Sequence, residues 1–253
     1  MSDHTDSGRI EQILKRVDFF KPVATRRGFM QKMLVAGGTA AVGVAGAARL
    51  STVFASSSPA LDFVNAAVGA ERIGIAFYGN ALGSGSPYSV GGDPATNTLL
   101  NKSHRGYFQA AFNQESSHLA TLLSSGGAFP YGHFAFPAGT FKSADPMLAM
   151  GLSLESIFIG AYLGAVKAGA SAGGDLGVFV AEAAAQICGI ECEHRTLIND
   201  IAGGSPPNDR FYEGGIGSPP SGALGDTGAR STVYATAGDA VGALVGLGIT
   251  PSA

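Results

Sequence analysis

The stretch "QICGIECEHRTLI", residues 186–198, decides the fold. Ile187, Ile190, Leu197 and Ile198 give it a helical rhythm, yet Glu191, Glu193 and His194 stand among them. An unpaired charge inside an apolar helix is costly, so inward-facing groups of this kind are paired or bound to a metal. Glu191 and His194 are three apart and share one helix face. Glu193 points elsewhere and reads as a surface residue or a support for ligands, as does Glu182 about two and a half turns earlier.

The same Glu-x-x-His spacing recurs at Glu115 and His118 in "NKSHRGYFQAAFNQESSHLATLLSS" (101–125), a helix stopped by Gly126 and Gly127. Two more apolar runs of helical rhythm each carry a single acid in an apolar setting. Glu71 lies in "ALDFVNAAVGAERIGIAFYGNAL" (60–82) and Glu155 in "SADPMLAMGLSLESIFIGAYLGAVKAGA" (143–170). The latter run is expected to start with Asp145 as N-cap and Pro146 at the first helical position. With Asp175–Ala202 as the last of the set, the chain has four long helices. "AFPYGHFAFPAGTF" (128–141) is too aromatic and Pro-rich for a helix and reads as an ordered crossover between the second and third. An internal duplication supports the order. "ERIGIAFY" at 71 aligns with "ESIFIGAY" at 155, and "NQESSH" at 113 with "GIECEH" at 189.

The fold expected is therefore all-α, a four-helix bundle with a long crossover between helices 2 and 3. A Gly/Ser/Pro loop occupies 83–94. The bundle is placed at 56–202 and a Gly/Pro-rich extension at 203–253, with Ser231–Leu247 suited to a short fifth helix. Each Glu-x-x-His pair can reach one point in the bundle centre, and so can Glu71 and Glu155. The six residues Glu71, Glu115, His118, Glu155, Glu191 and His194 are the candidate metal ligands, and the pattern resembles that of di-iron and di-manganese carboxylate bundles. Four carboxylates balance two divalent cations, carboxylates can bridge two ions, and each neutral imidazole can cap one. Oxygen and imidazole donors suit iron or manganese without choosing between them. A single Glu-x-x-His is weak evidence. Two of them on alternate helices, with lone Glu residues on the other two, use four of the seven Glu found after residue 55.

Other residues carry less. Tyr78 and Tyr162 each follow their Glu by two turns. Core packing is the preferred reading for both, hydrogen bonding to a ligand or a redox role the alternative. His104 reads as a helix-start residue, and His133 as a crossover residue with a lesser claim to the site entrance. Cys188 and Cys192, one turn apart, read as small side chains beside the core, since a disulfide within a regular helix is strained.

Charge divides the chain. Residues 1–55 hold 8 Lys/Arg and 4 Asp/Glu; residues 56–253 hold 8 Lys/Arg and 15 Asp/Glu. The acidic part has no basic cluster, which excludes nucleic-acid binding as an expectation. The basic part contains "TRRGFMQKMLVAGGTAAVGVAGAA" from Thr25: Arg26 and Arg27, then a weakly hydrophobic Gly/Ala-rich run. It resembles a twin-arginine export signal, with cleavage expected after Ala55 of "VFA". The apolar run from Met33 to Ala48 spans 16 residues, short of the roughly 20 a membrane helix needs, so a stable anchor is not expected. No Cys follows the run, so a lipoprotein is not expected either. The resemblance implies a partnership with the twin-arginine machinery, export in the folded state, and a periplasmic or extracellular location.

The ligand order, the "FPAGTF" crossover and the leader together resemble the ferritin-like domain family that includes exported bacterial proteins and plant desiccation-related proteins. The resemblance covers about 60–202. It implies a di-metal bundle and a link to stress, without a settled reaction. The long crossover and the Gly/Pro-rich tail depart from cage-forming ferritins, so iron storage in a shell is not expected. Three functions follow as expectations. The first is an exported di-metal protein reacting with a small oxidant, oxygen or peroxide, as an oxidase, ferroxidase or peroxide-consuming enzyme. The second is a stress protein in which the metal holds the fold. The third is a metal-free bundle acting as a binding or envelope protein. A homo-oligomer is compatible with all three.

Overall fold

The structure, a computed structural model, describes residues 58–90, 99–204 and 233–252. The expected leader 1–55, with Arg26, Arg27 and the cleavage point, lies outside the described residues, as does most of the loop 203–228. The helices are α1 (Pro59–Ala81), α2 (Lys102–Ser124), α3 (Ala144–Ala172), α4 (Gly174–Ile201) and α5 (Ala237–Gly246). Two short strands, β1 (His133–Ala135) and β2 (Thr250–Ser252), complete the order.

Local chemistry sets the helix starts. Ser58 caps α1, its hydroxyl accepting from the Leu61 amide, and Pro59 follows at the first position. Asn101 caps α2 by accepting from the His104 amide at 2.9 Å, which makes His104 a helix-start residue as read. Thr236 and Asp239 form a reciprocal capping box on α5. That box explains why this helix begins later than Ser231. The expectation that Asp145 caps α3 is corrected: the N-cap is Ser143, in extended geometry, and Asp145 and Pro146 lie inside the first turn. Pro is tolerated there because the first four helical N–H groups have no intrahelical acceptor.

α3 and α4 form a hairpin with a single residue, Gly173, between them. Gly173 and Gly174 have φ of 63° and 62°, left-handed values that favour glycine. α1 packs along α2 and α3, and α5 lies on α3 and α1. Almost all of α1 is buried, whereas α2 buries one stripe, Phe108, Ala111, Glu115, Leu119 and Leu122. α3 has the length and apolar composition of a membrane span, but 61% of its most apolar window is buried in the bundle.

The crossover is ordered by backbone and aromatic contacts. β1 pairs antiparallel with β2, Phe134 opposite Pro251. On its other side Phe134 exchanges hydrogen bonds with Tyr88 and Val90. These strands were not foreseen: three residues carry no periodicity, and the partner lies far away in sequence. Phe136 and Phe141 pack on Phe77 of α1 at centroid distances of 6.2 and 5.9 Å. Arg72 of α1 donates to the carbonyls of Phe129 and Tyr131 at 3.2 and 2.8 Å, which ties the start of the crossover to the bundle.

Candidate metal centre

All six candidate ligands converge. α1 supplies Glu71, α2 Glu115 and His118, α3 Glu155, and α4 Glu191 and His194. They fall into two overlapping groups, Glu71–Glu115–His118–Glu191 and Glu115–Glu155–Glu191–His194, each offering ligand atoms within 4.8 Å of one another. Glu115 and Glu191 belong to both groups; Glu71 and His118 belong to one, Glu155 and His194 to the other. The four carboxylates are at most 1% exposed.

Both imidazoles turn Nδ1 inward. His118 Nδ1 is 3.2 Å from Glu71, 3.5 Å from Glu191 and 4.0 Å from Glu115. His194 Nδ1 is 3.1 Å from Glu115 and Glu191 and 3.6 Å from Glu155. The Nε2–H of His194 donates to Gln114 Oε1 at 2.9 Å. That bond turns Nδ1 towards the carboxylates, where it donates to Glu191 when no cation is bound and could give its lone pair to a cation in place of that proton.

The two tyrosines cross the bundle. Tyr78 of α1 donates to Glu155 of α3, and Tyr162 of α3 donates to Glu71 of α1. The preference for plain core packing is thus corrected: the rings are core, and the hydroxyls hold carboxylates. The exchange follows from the duplication, since each tyrosine stands seven after its own Glu but bonds the equivalent Glu of the partner helix.

Without cations this cluster cannot keep all its charge. Burial, followed by the Glu191 charge, pushes Glu115 and Glu155 well above the ordinary carboxylate range. Burial also pushes Glu191 up, but hydrogen bonds from His118 and His194 outweigh it and hold Glu191 at about 2. Burial lowers His118, but hydrogen bonds to Glu191 and Glu71 outweigh it and raise it to about 10. Burial, then the charges of their carboxylate partners, pushes Tyr78 and Tyr162 up, so both stay protonated donors.

The donor set fits a metal pair. Oε2 of Glu115 and Oε2 of Glu155 are buried with no hydrogen-bond donor among the described residues, while Oε1 of Glu115 and Oε1 of Glu191 are buried with only a histidine Nδ1 close by, at 3.1 and 3.5 Å. Orphaned acceptors of that kind are expensive unless a cation satisfies them. Each group offers three carboxylates and one imidazole, hard and borderline donors that suit iron or manganese.

The remaining candidates sit elsewhere. Glu182 and Glu193 are exposed. His133 is exposed on β1 opposite Ser252 and is not among the clustered groups. Cys188 is buried and Cys192 half-buried, both as free thiols. Two contributors escaped the sequence reading. Gln114 sits one residue before Glu115, in the shadow of a stronger signal. Gly74, three after Glu71, makes room: a Cβ there would stand 2.8 Å from Glu115 Oε2. A small residue at i+3 on the ligand face was the available sign.

A family model described as "Ferritin-like domain" matches residues 60–204. No curated protein and no solved structure matches the chain.

Proposed function

The chain belongs to the ferritin-like domain family, and on that premise we propose that it is an exported di-metal carboxylate protein that reacts with oxygen or peroxide in stress protection. The observation that carries the reading is the pair of overlapping ligand groups that share Glu115 and Glu191. Glu71 and His118 would hold one ion, Glu155 and His194 a second, and Glu115 and Glu191, common to both groups, would serve both. When bound, two such ions side by side supply two-electron exchange with dioxygen or peroxide.

The protein's own groups prepare the site. Nδ1 of each histidine faces one half and would present a lone pair there once a cation takes the place of its proton. Tyr162 and Tyr78 hold Glu71 and Glu155 by one oxygen and so orient the other towards the cluster. The raised values of both tyrosines keep those protons in place. Burial of all four carboxylates keeps bulk water away. The "TRR" leader adds a route: a protein whose site is charged in the cytoplasm and which then crosses the membrane folded, to act in the periplasm or outside. The link to stress rests on the resemblance to exported and desiccation-related proteins alone.

The test is metal content and turnover of protein exported by its native route. About two iron or manganese ions per chain, with oxygen-dependent Fe(II) oxidation or peroxide consumption, is the expected result. A fully loaded protein inert to oxygen, peroxide and Fe(II) would make the metal a structural element of a stress protein. A chain that leaves the cell without iron, manganese or zinc would remove the di-metal reading. Replacing Arg26 and Arg27 by Lys should hold the precursor in the cytoplasm, and undiminished export in fractionation would refute the route.

A further inference from the structure

α5 does not close its face of the bundle completely. Between it and α1 and α3 lies a cavity of about 20 Å³, walled by Ala66, Ala70, Ala161, Ala165, Val241 and Leu244. A second cavity of about 20 Å³ extends from the same wall towards Phe129, Phe134 and Ile249. Ala66, Ala70, Val241 and Leu244 line both, so the two voids are neighbours across shared side chains. Interiors are close-packed, and voids of this size are few. Here small residues on facing helices make them: longer side chains at 66, 70, 161 or 165 would fill the space.

The lining decides the occupant. A buried water needs two to four polar partners, and a void walled by apolar side chains stays dry and takes up apolar molecules instead. A metal ion or hydrogen peroxide would lose its hydrogen bonds to water there and gain none. Dioxygen, small and without hydrogen bonds to lose, meets no such penalty. The position matters as much. Tyr162 lines the first cavity, and its hydroxyl is bonded to Glu71. One phenol ring therefore separates the apolar space from the ligand cluster. On α2 the other approach is of opposite character: the His118 side chain is 12% exposed and faces Glu71 and Glu191, which suits ions and polar oxidants.

We infer that the apolar cavity under α5 is a binding site for dioxygen and its route to the Glu71 side of the cluster, with Tyr162 as the partition. The inference rests on the oxygen-reactive reading of the cluster. Xenon is the probe for the site, in pressurised crystals or by xenon NMR of the whole chain. Xenon should occupy the space between Ala66, Ala165 and Leu244, and Ala66→Leu should abolish it. In Fe(II)-loaded protein, xenon should raise the apparent KM for dioxygen severalfold and leave oxidation by hydrogen peroxide unchanged. This competition uses the unaltered chain, so it holds if Ala66→Leu does not fold. Absence of xenon from the cavity would overturn the route and leave the cluster's reading untouched. Bound xenon that slows both oxidants alike, or neither, would also overturn it. A loaded protein that binds xenon but ignores both oxidants would sink the oxygen-reactive reading, and this route with it.

Discussion

The two halves of the cluster descend from one pattern and are not alike. The Glu155–His194 half is sealed: the His194 side chain is 2% exposed and is held by Gln114. In the Glu71–His118 half the imidazole is 12% exposed. The duplication explains why. Position 190 in α4 corresponds to Gln114 in α2 and is Ile, which cannot hold His118 as Gln114 holds His194. Likewise Gly74 in α1, which leaves room for Glu115, corresponds to Phe158 in α3. The ligands kept their symmetry, and their supports did not. On the di-metal reading, the sealed half should keep its ion longer and the open half should exchange it faster.

The largest effects should come from residues that belong to neither half alone. Glu191→Ala removes a shared carboxylate, so metal content should fall from about two ions towards none and turnover should vanish. His118→Ala and His194→Ala should each remove mainly one ion. They should differ in stability, because His194 is buried and its loss also removes the bond to half-buried Gln114, itself about 1 kcal/mol; His118→Ala should cost less. Metal stoichiometry and thermal melts of the three variants check this. Equal loss of both ions in either histidine variant would break the assignment into halves.

The next effect is pH-dependent. In chelated protein, Glu115 and Glu155 are raised from 4.5, so the stability they contribute is present below about pH 4.5 and is lost as pH rises through their folded values. His118 acts in the same direction between 6.5 and about 10. Glu191, lowered to about 2, contributes stability above 4.5 that is lost as pH falls towards 2. The chelated form should therefore melt several degrees higher as pH is lowered from about 10 towards 5, and then lose stability in stronger acid. The metal-loaded form should do the reverse over the neutral range, because protons compete with the cations for the same oxygens. Parallel pH profiles with and without chelator would mean that the cluster does not govern stability.

How much of this was legible in the sequence varies with the range of the interaction. The four helices and the meeting of the six candidate residues were, because Glu-x-x-His on an apolar helix is a local pattern of fixed period. The helix ends came within a residue or two except at Thr236, where several polar residues competed for the cap. The β1–β2 pairing was not legible, since strands of three residues show no period and Pro251 argues against one. The tyrosine exchange lay half-hidden: the spacing of Tyr78 from Glu71 was visible, but not that its hydroxyl would cross to Glu155. The asymmetry was present as Gln114 against Ile190 and Gly74 against Phe158. It acquires meaning only once Gln114 is seen beside His194.

Gly74 offers a way to separate packing from coordination. Ala in place of Gly within a helix favours folding by about 1 kcal/mol. Here the new Cβ would meet Glu115 Oε2 at 2.8 Å, and the flexible end of Glu115 would have to move. Gly74→Ala should leave the chelated protein as stable as before, or more so, while metal affinity falls roughly tenfold through the displaced shared carboxylate. A variant that keeps full affinity would show that Glu115 has slack the geometry does not suggest.

The smallest effect should come from the support of a single ligand. Gln114 accepts from His194 Nε2–H and thereby keeps Nδ1 turned towards the carboxylates. Gln114→Leu keeps the volume and removes the acceptor, so the ring can turn or change tautomer. Affinity at the Glu155–His194 half should drop by about tenfold, with the Glu71–His118 half unchanged. The exchange rates of the two ions should then become more alike, which competition with a chelator can follow directly. Gln114→Glu restores an acceptor and should recover most of the lost affinity, an outcome a merely space-filling role would not give. If Gln114→Leu instead weakens both halves equally, the sealed half does not owe its retention to this bond, and the difference between the halves lies in burial alone.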